Sequence, residues 1–281
     1  MHSEYLEAKR RIDDRSINRR VWDRFLRMSE SLTSEVAGLR VAELGAGSGT
    51  MIDRLEEWGW FAGVARGSAG ITYHAYEVND EPFPLLQRRL AAAKERDLIV
   101  DALAISGDLR TVLIDEPYDI IIAHALIDLF PPEDLPRILD RFARSGTIVY
   151  ASIVFDGTTH FEPELDRDLD REILGAYHRS MSGGFARRHI VGLTDAGYTV
   201  VDAGSSDWVV VPRRSGFRRE EKTLIATILD MLTSSVGAMT DRGETQFSRD
   251  DLASWVARRR EQAAQGSLCF EAHQLDLVIR R

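Results

Sequence analysis

Short apolar runs recur along the chain, each bounded by glycine, proline or acidic residues. The run at residues 118–124 has no polar–apolar alternation in its centre, which is typical of a strand buried on both faces of a parallel sheet. Residues 71–77 are rich in β-branched and aromatic side chains, which also favours a strand. We predict strands at residues 39–44, 71–77, 98–105, 118–124 and 146–153.

Helical patterns fill the segments around these strands. A rough apolar stripe runs through residues 3–30, and a helix starts at residue 50 directly after the first strand. We predict helices at residues 3–30, 50–58, 81–97, 131–142, 164–181, 184–196, 218–236 and 248–264. Strands that alternate with helices predict an α/β fold with a doubly wound parallel sheet and right-handed crossovers.

A glycine-rich turn joins the first strand to its helix. Gly45, Gly47 and Gly49 follow Glu43 at alternate positions, and glycine lets the backbone approach a ligand closely. The helix start offers unpaired N–H groups that suit an anionic part of a nucleotide-like ligand. A dinucleotide-binding turn has glycine at its sixth position, where this chain has Thr50. The fit to a dinucleotide is therefore poor, and a tight turn without a ligand stays open.

Polar side chains end three further strands. Glu77 ends the second strand, Asp108 follows the third and His124 ends the fourth. In open α/β sheets the ligand lies outside the carboxyl ends of the strands, where an acid on the second strand can accept hydrogen bonds from ribose hydroxyls. We therefore expect these residues to share one crevice with the glycine turn.

Over residues 36–155 the motifs resemble those of class I S-adenosylmethionine (SAM)-dependent methyltransferases. The run Glu43-x-Gly45-x-Gly47-x-Gly49 is similar to the family's first motif, and Asp108-Leu109 is similar to its adenine-holding pair. The resemblance implies SAM as the cofactor and S-adenosyl-L-homocysteine (SAH) as its product. It implies these cofactor-binding residues: Glu43, Gly45, Ala46, Gly47, Glu77, Val78, Asp108, Leu109 and Ala123.

The resemblance also implies the full architecture, a Rossmann-like seven-stranded mixed sheet with an antiparallel last strand. The sixth strand is expected at residues 198–201 with 208–211, and the last at 268–279. No Asn/Asp-Pro-Pro-Tyr/Phe run follows the fourth strand, which disfavours the family's amino-methylating DNA enzymes. The pattern is instead similar to that of small-molecule methyltransferases, whose acceptor pockets are closed by added helices.

Two long segments interrupt this pattern, and we predict helical insertions at about residues 156–182 and 213–266. With an N-terminal helical segment at residues 1–35, they are expected to form a lid over the acceptor pocket. The methyltransferase domain itself is then expected to span residues 36–281.

Methyl transfer to oxygen, nitrogen or carbon requires the loss of a proton, which a histidine or carboxylate near the methyl group can accept. His124 is the best-placed base by topology, and His160 in the first insertion is a second candidate. For both, a packing or surface role stays open. The candidate substrate-binding residues are Arg15, Glu162, Tyr177 and His178. No tight metal-ligand spacing such as His-Glu-x-x-His occurs, so no metal is predicted.

The composition of the chain narrows the range of expected binding partners. The formal net charge of -9 argues against a general nucleic-acid binder. Cys269 is the only cysteine, which excludes an intramolecular disulfide. The chain shows no signal-peptide core and no apolar stretch long enough for a bilayer, and lysine is scarce beside arginine. We expect a cytoplasmic, bacterial protein with a small-molecule acceptor and no membrane partner, and a homodimer is possible.

Three other functions stay open. These are a non-catalytic SAM-binding protein, an NAD-dependent oxidoreductase and an RNA methyltransferase.

Overall fold

One mixed sheet forms the centre of the protein in a computed structural model, which describes residues 2–34, 38–65, 70–181, 185–214 and 216–281. Its strands are β1 (Leu39–Leu44), β2 (Ile71–Glu77), β3 (Asp101–Ser106), β4 (Tyr118–His124), β5 (Ala143–Glu162), β6 (Thr199–Ser205), β7 (Trp208–Val210) and β8 (Cys269–Arg280). They lie in the order β3-β2-β1-β4-β5-β8-β6, with β7 paired to β8. The strands β1 to β5 pair in parallel, and β8 is antiparallel to its neighbours. The predicted α/β class with an antiparallel last strand is confirmed; β7 is separate from β6, which gives eight strands in the described part of the chain.

Helices cover both faces of this sheet. They are α1 (His2–Ser16), α2 (Arg19–Leu32), α3 (Thr50–Glu57), α4 (Trp60–Ala65), α5 (Phe83–Glu95), α6 (Leu135–Phe142), α7 (Arg167–Ser180), α8 (Ala186–Asp195), α9 (Arg219–Asp241) and α10 (Arg249–Gln265). In β4, Ile120 and Ile122 join an apolar cluster with Trp22 of α2, whereas Ile121 joins a second cluster with Phe142 of α6. Burial on both faces explains why this strand lacks alternation. The helix predicted at residues 184–196 corresponds to α8, and its predicted start at residue 184 lies outside the described residues.

The N-terminal segment forms two helices where the sequence predicts one over residues 3–30. Asn18 caps α2 with an extended backbone, and its side chain accepts a hydrogen bond from the Val21 N–H. The Asn18 N–H donates to Oδ2 of Asp276, a fully buried residue of β8, over 2.7 Å. This tertiary bond replaces a helical one, so the break is set by the sheet. The predicted boundary between residues 35 and 36 lies outside the described residues.

The first predicted insertion is only partly helical, which corrects the sequence expectation. Residues 156–162 continue β5, where Thr159 and Phe161 pair with Ala272 and Phe270 of β8. The helix α7 begins after Asp166, whose side chain caps it. The pairing partner is more than a hundred residues away, so no local pattern reveals it. The second insertion contains α9 and α10 as predicted, and residue 182 lies outside the described residues.

The helix α9 is long and apolar enough to cross a membrane by length and composition, contrary to the expectation from the sequence. It contacts α1, α7 and α10. Leu224, Leu229 and Leu232 on this helix are fully buried. This packing identifies α9 as an apolar helix of the protein core, since core helices also meet the length and composition criterion.

Candidate functional site

The glycine turn between β1 and α3 takes a left-handed backbone at alternate positions. Gly45, Gly47 and Gly49 have φ angles of 66°, 54° and 83°, which side-chain-bearing residues rarely adopt. A Cβ at Gly45 would lie 2.5 Å from Cδ1 of Leu126. A residue with a side chain at this position would therefore have to displace Leu126 and adopt a strained backbone.

Two acidic side chains lie at the neighbouring strand ends. Glu77 is 5% exposed, and its Oε2 accepts a hydrogen bond of 2.7 Å from the Gly47 N–H. Its Oε1 accepts from the backbone and side-chain N–H groups of Asn79. Asp108 is exposed, and its Oδ1 accepts from the Arg110 N–H over 2.8 Å. These bonds orient both carboxylates and leave lone pairs on their oxygens for a ligand.

A cavity of about 490 Å³ lies over the turn, and we call it the strand-end cavity. Its volume is in the range of ligand pockets, about 300–1,000 Å³. Leu126 and Phe130 from the loop after β4 line it, and Leu6 and Lys9 of α1 line it as well. The cavity brings together these predicted cofactor-binding residues: Gly45, Ala46, Gly47, Glu77, Val78, Asp108 and Leu109.

The other two predicted cofactor-binding residues do not line this cavity. Glu43 is 2% exposed, and its Oε2 accepts a hydrogen bond of 2.7 Å from the Tyr73 hydroxyl. Burial raises the pKa of Glu43 to about 8, so this carboxyl is largely protonated at neutral pH. Ala123 is fully buried in β4 beside Ala151 of β5. In this structure both residues lie within the sheet.

A second cavity of about 320 Å³ adjoins the first, and we call it the aromatic cavity. It shares Tyr5, Lys9, Ala125 and Leu129 with the strand-end cavity. Its aromatic lining comes from five elements and the segment after α7: Tyr5, Phe155, Tyr177, Phe185, Trp208 and Phe270. A largely apolar molecule in this cavity would therefore be next to a ligand in the first.

A buried polar network crosses the junction of the two cavities. Asp13 of α1 is 2% exposed, and its Oδ2 accepts from Lys9 Nζ (2.6 Å) and lies 2.9 Å from His124 Nε2. Its Oδ1 accepts from Trp208 Nε1 (2.9 Å). Ser152 Oγ lies 2.8 Å from Nδ1 of His124. The network ties α1 to β4, β5 and β7.

These contacts fix the state of His124. Burial, and after it the positive charge of Arg54, lower the pKa of its ring to about 3. The pKa of Asp13 is also lowered, because Lys9 and His124 outweigh the effect of burial. An ionised Asp13 can only accept hydrogen bonds. The neutral His124 ring therefore donates a hydrogen bond from Nε2 to Asp13 and accepts one at Nδ1 from the Ser152 hydroxyl. Neither ring nitrogen is then free to take a proton from an acceptor.

The remaining predicted residues are dispersed. Tyr177 lines the aromatic cavity. Arg15 pairs with Glu221 Oε1 over 2.7 Å, outside both cavities. His160 and Glu162 are exposed near the end of β5, also away from both cavities. His178 lies against Phe155 without lining either cavity. The sequence patterns did not predict that Tyr5, Lys9 and Asp13 of α1 line these cavities.

Two signals in the sequence could have found the missed residues. Tyr5, Lys9 and Asp13 recur at intervals of four, which places them on one face of a helix. Asp128 lies four residues after His124, in the loop at the carboxyl end of β4, and it lines the aromatic cavity. No group of three or more candidate metal ligands occurs among the residues that the structure describes.

No protein-family model matches the chain, and no curated protein matches its sequence. Solved structures do match. A SAM-dependent methyltransferase from Thiobacillus denitrificans in complex with SAH is 15% identical, with a TM-score of 0.45 over 91% of this chain and 91% of that chain. The geranyl diphosphate C-methyltransferase from Streptomyces coelicolor A3(2) is 10% identical, with a TM-score of 0.44 over 86% of this chain and 72% of that chain.

The [4+2]-cyclase SpnF is also similar, at 15% identity and a TM-score of 0.44 over 92% of this chain and 80% of that chain. A fold does not define an activity, and similarities this low leave the function to the chemistry of the site.

The strand-end cavity fits a ligand of the SAM type. The glycine turn forms a cradle that a Cβ at Gly45 would fill, and the first N–H groups of α3 begin beside it. Glu77 and Asp108 offer acceptor oxygens at neighbouring strand ends, and Leu109 packs in one apolar cluster with Leu126. Acceptors for hydroxyl and amino groups next to an apolar wall suit a nucleoside.

Proposed function

We propose that this protein is an enzyme that transfers a methyl group from SAM to a small-molecule acceptor. The observation that supports the proposal best is the junction of the two cavities at Tyr5, Lys9 and Ala125. A ligand with its reactive end at this junction would be in reach of a second molecule in the aromatic cavity. Such a geometry favours transfer by holding two reactants together.

The residues of the strand-end cavity have assignable roles in this proposal. The backbone of Gly45 to Gly47 would contact the methionine part, Glu77 would accept hydrogen bonds from the ribose, and Asp108 with Leu109 would hold the adenine. Bound SAM supplies an electrophilic methyl group on a positively charged sulfur. The chain itself orients the two molecules and excludes water, for which α1 is suited because Tyr5 and Lys9 line both cavities.

The acceptor that we propose is small and largely apolar. The aromatic cavity, at about 320 Å³, is at the lower end of ligand-pocket volumes, about 300–1,000 Å³. The net charge of -9 opposes a nucleic-acid acceptor. As its setting we propose the bacterial cytoplasm, which the scarcity of lysine beside arginine and the packing of α9 against α1, α7 and α10 support.

Calorimetric titration with SAH tests the cofactor assignment. We expect wild-type protein to bind SAH and NAD not to displace it. Glu77→Gln should weaken SAH binding at least about tenfold, because a ribose contact to a carboxylate is a charge-assisted hydrogen bond. Glu162→Gln is the matched control, since Glu162 is exposed and lines neither cavity. Absence of SAH binding by the wild type would contradict the proposal.

A screen of small metabolites with methyl-labelled SAM then tests the transfer. Label in a small-molecule product is the expected result. A protein that binds SAH tightly but labels no acceptor would favour a non-catalytic SAM-binding protein. Label in RNA would instead favour an RNA methyltransferase.

A further inference from the structure

The loop after β4 carries a carboxylate with no role in the contacts described so far. Asp128 lies in a short 3₁₀ turn, Ile127–Leu129, that follows β4 directly. It lines the aromatic cavity. Its Oδ1 is buried and has no hydrogen-bond partner within the described residues. A buried carboxylate oxygen without a donor is costly, so this atom is suited to a ligand that donates.

The charged side chains that line the aromatic cavity leave Asp128 without an ion pair in the described part of the chain. Two charged side chains, Lys9 and Asp128, line the cavity in the described part of the chain. Lys9 Nζ is 2.6 Å from Asp13 Oδ2, so its charge is offset by that carboxylate. His124 is neutral because burial lowers its pKa. The junction therefore carries one negative charge in excess, at Asp128.

The walls of the aromatic cavity suit a positive charge. Tyr177 of α7, Trp208 of β7 and Phe270 of β8 line the cavity together with Asp128. Aromatic faces attract cations, and the attraction increases when water is excluded. A carboxylate combined with aromatic rings distinguishes an ammonium group from a neutral hydroxyl of the same size.

We propose that the acceptor is an amine with an apolar body, and that its nitrogen binds at the Asp128 carboxylate and gives up its proton there. This inference rests on the proposed methyl transfer and names its substrate class. The ammonium proton passes to Asp128, the N–C bond forms as the C–S bond breaks, and the electron pair of that bond stays on sulfur. The methylated ammonium product leaves, and Asp128 returns its proton to solvent.

The surroundings of Asp128 suit it to this proton transfer. Burial raises the pKa of Asp128 to about 6, against the opposing effects of backbone N–H groups and Lys9. From α1, Tyr5 faces the same cavity with Lys9, and Tyr177 faces it from α7. On the other elements packed against this turn, His189 of α8 is buried and Asp156 of β5 pairs with Arg187. Asp128 is thus a carboxylate at pH 8 that takes up a proton near pH 6.

The test is calorimetric titration of SAH-saturated protein with matched amines and alcohols. The probe pairs are hexylamine with hexanol, 2-phenylethylamine with 2-phenylethanol, and 1-naphthylmethylamine with 1-naphthalenemethanol. At pH 8 we expect at least one amine to bind about tenfold more tightly than its alcohol. The preference should disappear at pH 5, where Asp128 is protonated. It should also disappear in Asp128→Asn, while Glu133→Gln, which removes an exposed charge nearby, should retain it.

SAH binding by each variant separates the possible failures. Asp128→Asn should bind SAH within about twofold of wild type, which shows that its fold is intact. If wild type binds SAH and no pair prefers the amine, the inference is overturned and the proposed function stands. If the wild type does not bind SAH but the protein alone binds amines through Asp128, the proposed function fails and the amine site remains.

A second readout does not depend on turnover. In protein labelled with ¹³C at aspartate carboxyl carbons, the Asp128 signal is assigned by its loss in Asp128→Asn. Its titration midpoint should fall when the preferred amine binds, by about one pH unit for a tenfold preference, because an ammonium partner stabilises the carboxylate. An unchanged or raised midpoint with amine bound would overturn the inference.

Discussion

The two adjoining cavities are built in different ways. The strand-end cavity is formed largely by chain segments that follow β1 to β4, within residues 45–130, with α1 placed over it. The aromatic cavity takes side chains from α1, the loop after β4, β5, α7, β7, α9 and β8. The first depends on backbone conformation at strand ends, and the second on side chains that meet only in the folded chain.

This difference determines what each cavity can recognise. A glycine turn and acids at strand ends bind the groups that all nucleotide-like ligands share, so the same pattern recurs with many acceptors. The aromatic cavity has no such pattern, and its residues can change without disturbing the turn. In the proposed function, selectivity for the acceptor would therefore depend on the helices and on β7 and β8. Substitutions at residues that line only one cavity should leave binding in the other unchanged.

The largest expected effect is at the glycine turn. Gly45→Ala places a Cβ 2.5 Å from Leu126 Cδ1 at a φ of 66°, so the Leu126 side chain or the turn must shift. We expect SAH affinity to fall about 100-fold by calorimetry. Gly59→Ala is the control, because Gly59 has a φ of 78° and nothing within 4 Å of the added Cβ. The backbone penalty of about 1–2 kcal/mol is common to both variants, so equal SAH affinities would contradict the role of the turn.

A smaller effect is expected at the mouth of the aromatic cavity. Met231 of α9 is 46% exposed and lines this cavity. Met231→Trp should raise the KM of the acceptor found by the labelling screen about tenfold, with SAH affinity unchanged. Val191→Trp adds the same ring on α8 at a site that lines neither cavity, and should change neither quantity. A parallel loss of SAH binding in Met231→Trp would mean that the cavities are not separable.

A third prediction concerns folding stability and the network at the junction. His124 titrates near pH 3 in the folded chain because of burial, and an unfolded histidine titrates near about 6.5. Between these values the unfolded chain binds more protons, so stability falls as pH falls, with a slope of about 1.4 kcal/mol per pH unit. His124→Gln should remove this slope in urea unfolding between pH 6 and 4. The exposed His160→Gln should keep it, and equal loss in both variants would refute the assignment.

The helix α1 explains why these cavities act together although they differ in origin. Asp13 bonds to His124 and Trp208, while Arg10 pairs with Asp53 and Glu57 of α3. One helix is thus fixed to both cavities.

Local sequence patterns are sufficient to predict the parallel strands and the strand-end residues of the first cavity. Buried parallel strands have continuous apolar sequences. The glycine turn requires backbone conformations that only glycine adopts easily. Both signals are local, so they are visible without a partner. They predicted the bounds of β2 and β4 and seven of the residues that line the strand-end cavity.

The tertiary structure alone decided the rest. The break of the N-terminal helix depends on Asp276, the extension of β5 depends on β8, and both nitrogens of His124 are engaged by residues distant in sequence. From the sequence, a histidine at a strand end is a candidate general base. Its hydrogen-bond partners, which the sequence does not reveal, decide whether a ring nitrogen is free. Hydrogen bonds between residues far apart in the chain leave no periodic signal, because each partner is chosen by packing. The aromatic cavity consists of such contacts, whereas the strand-end cavity consists mainly of local ones.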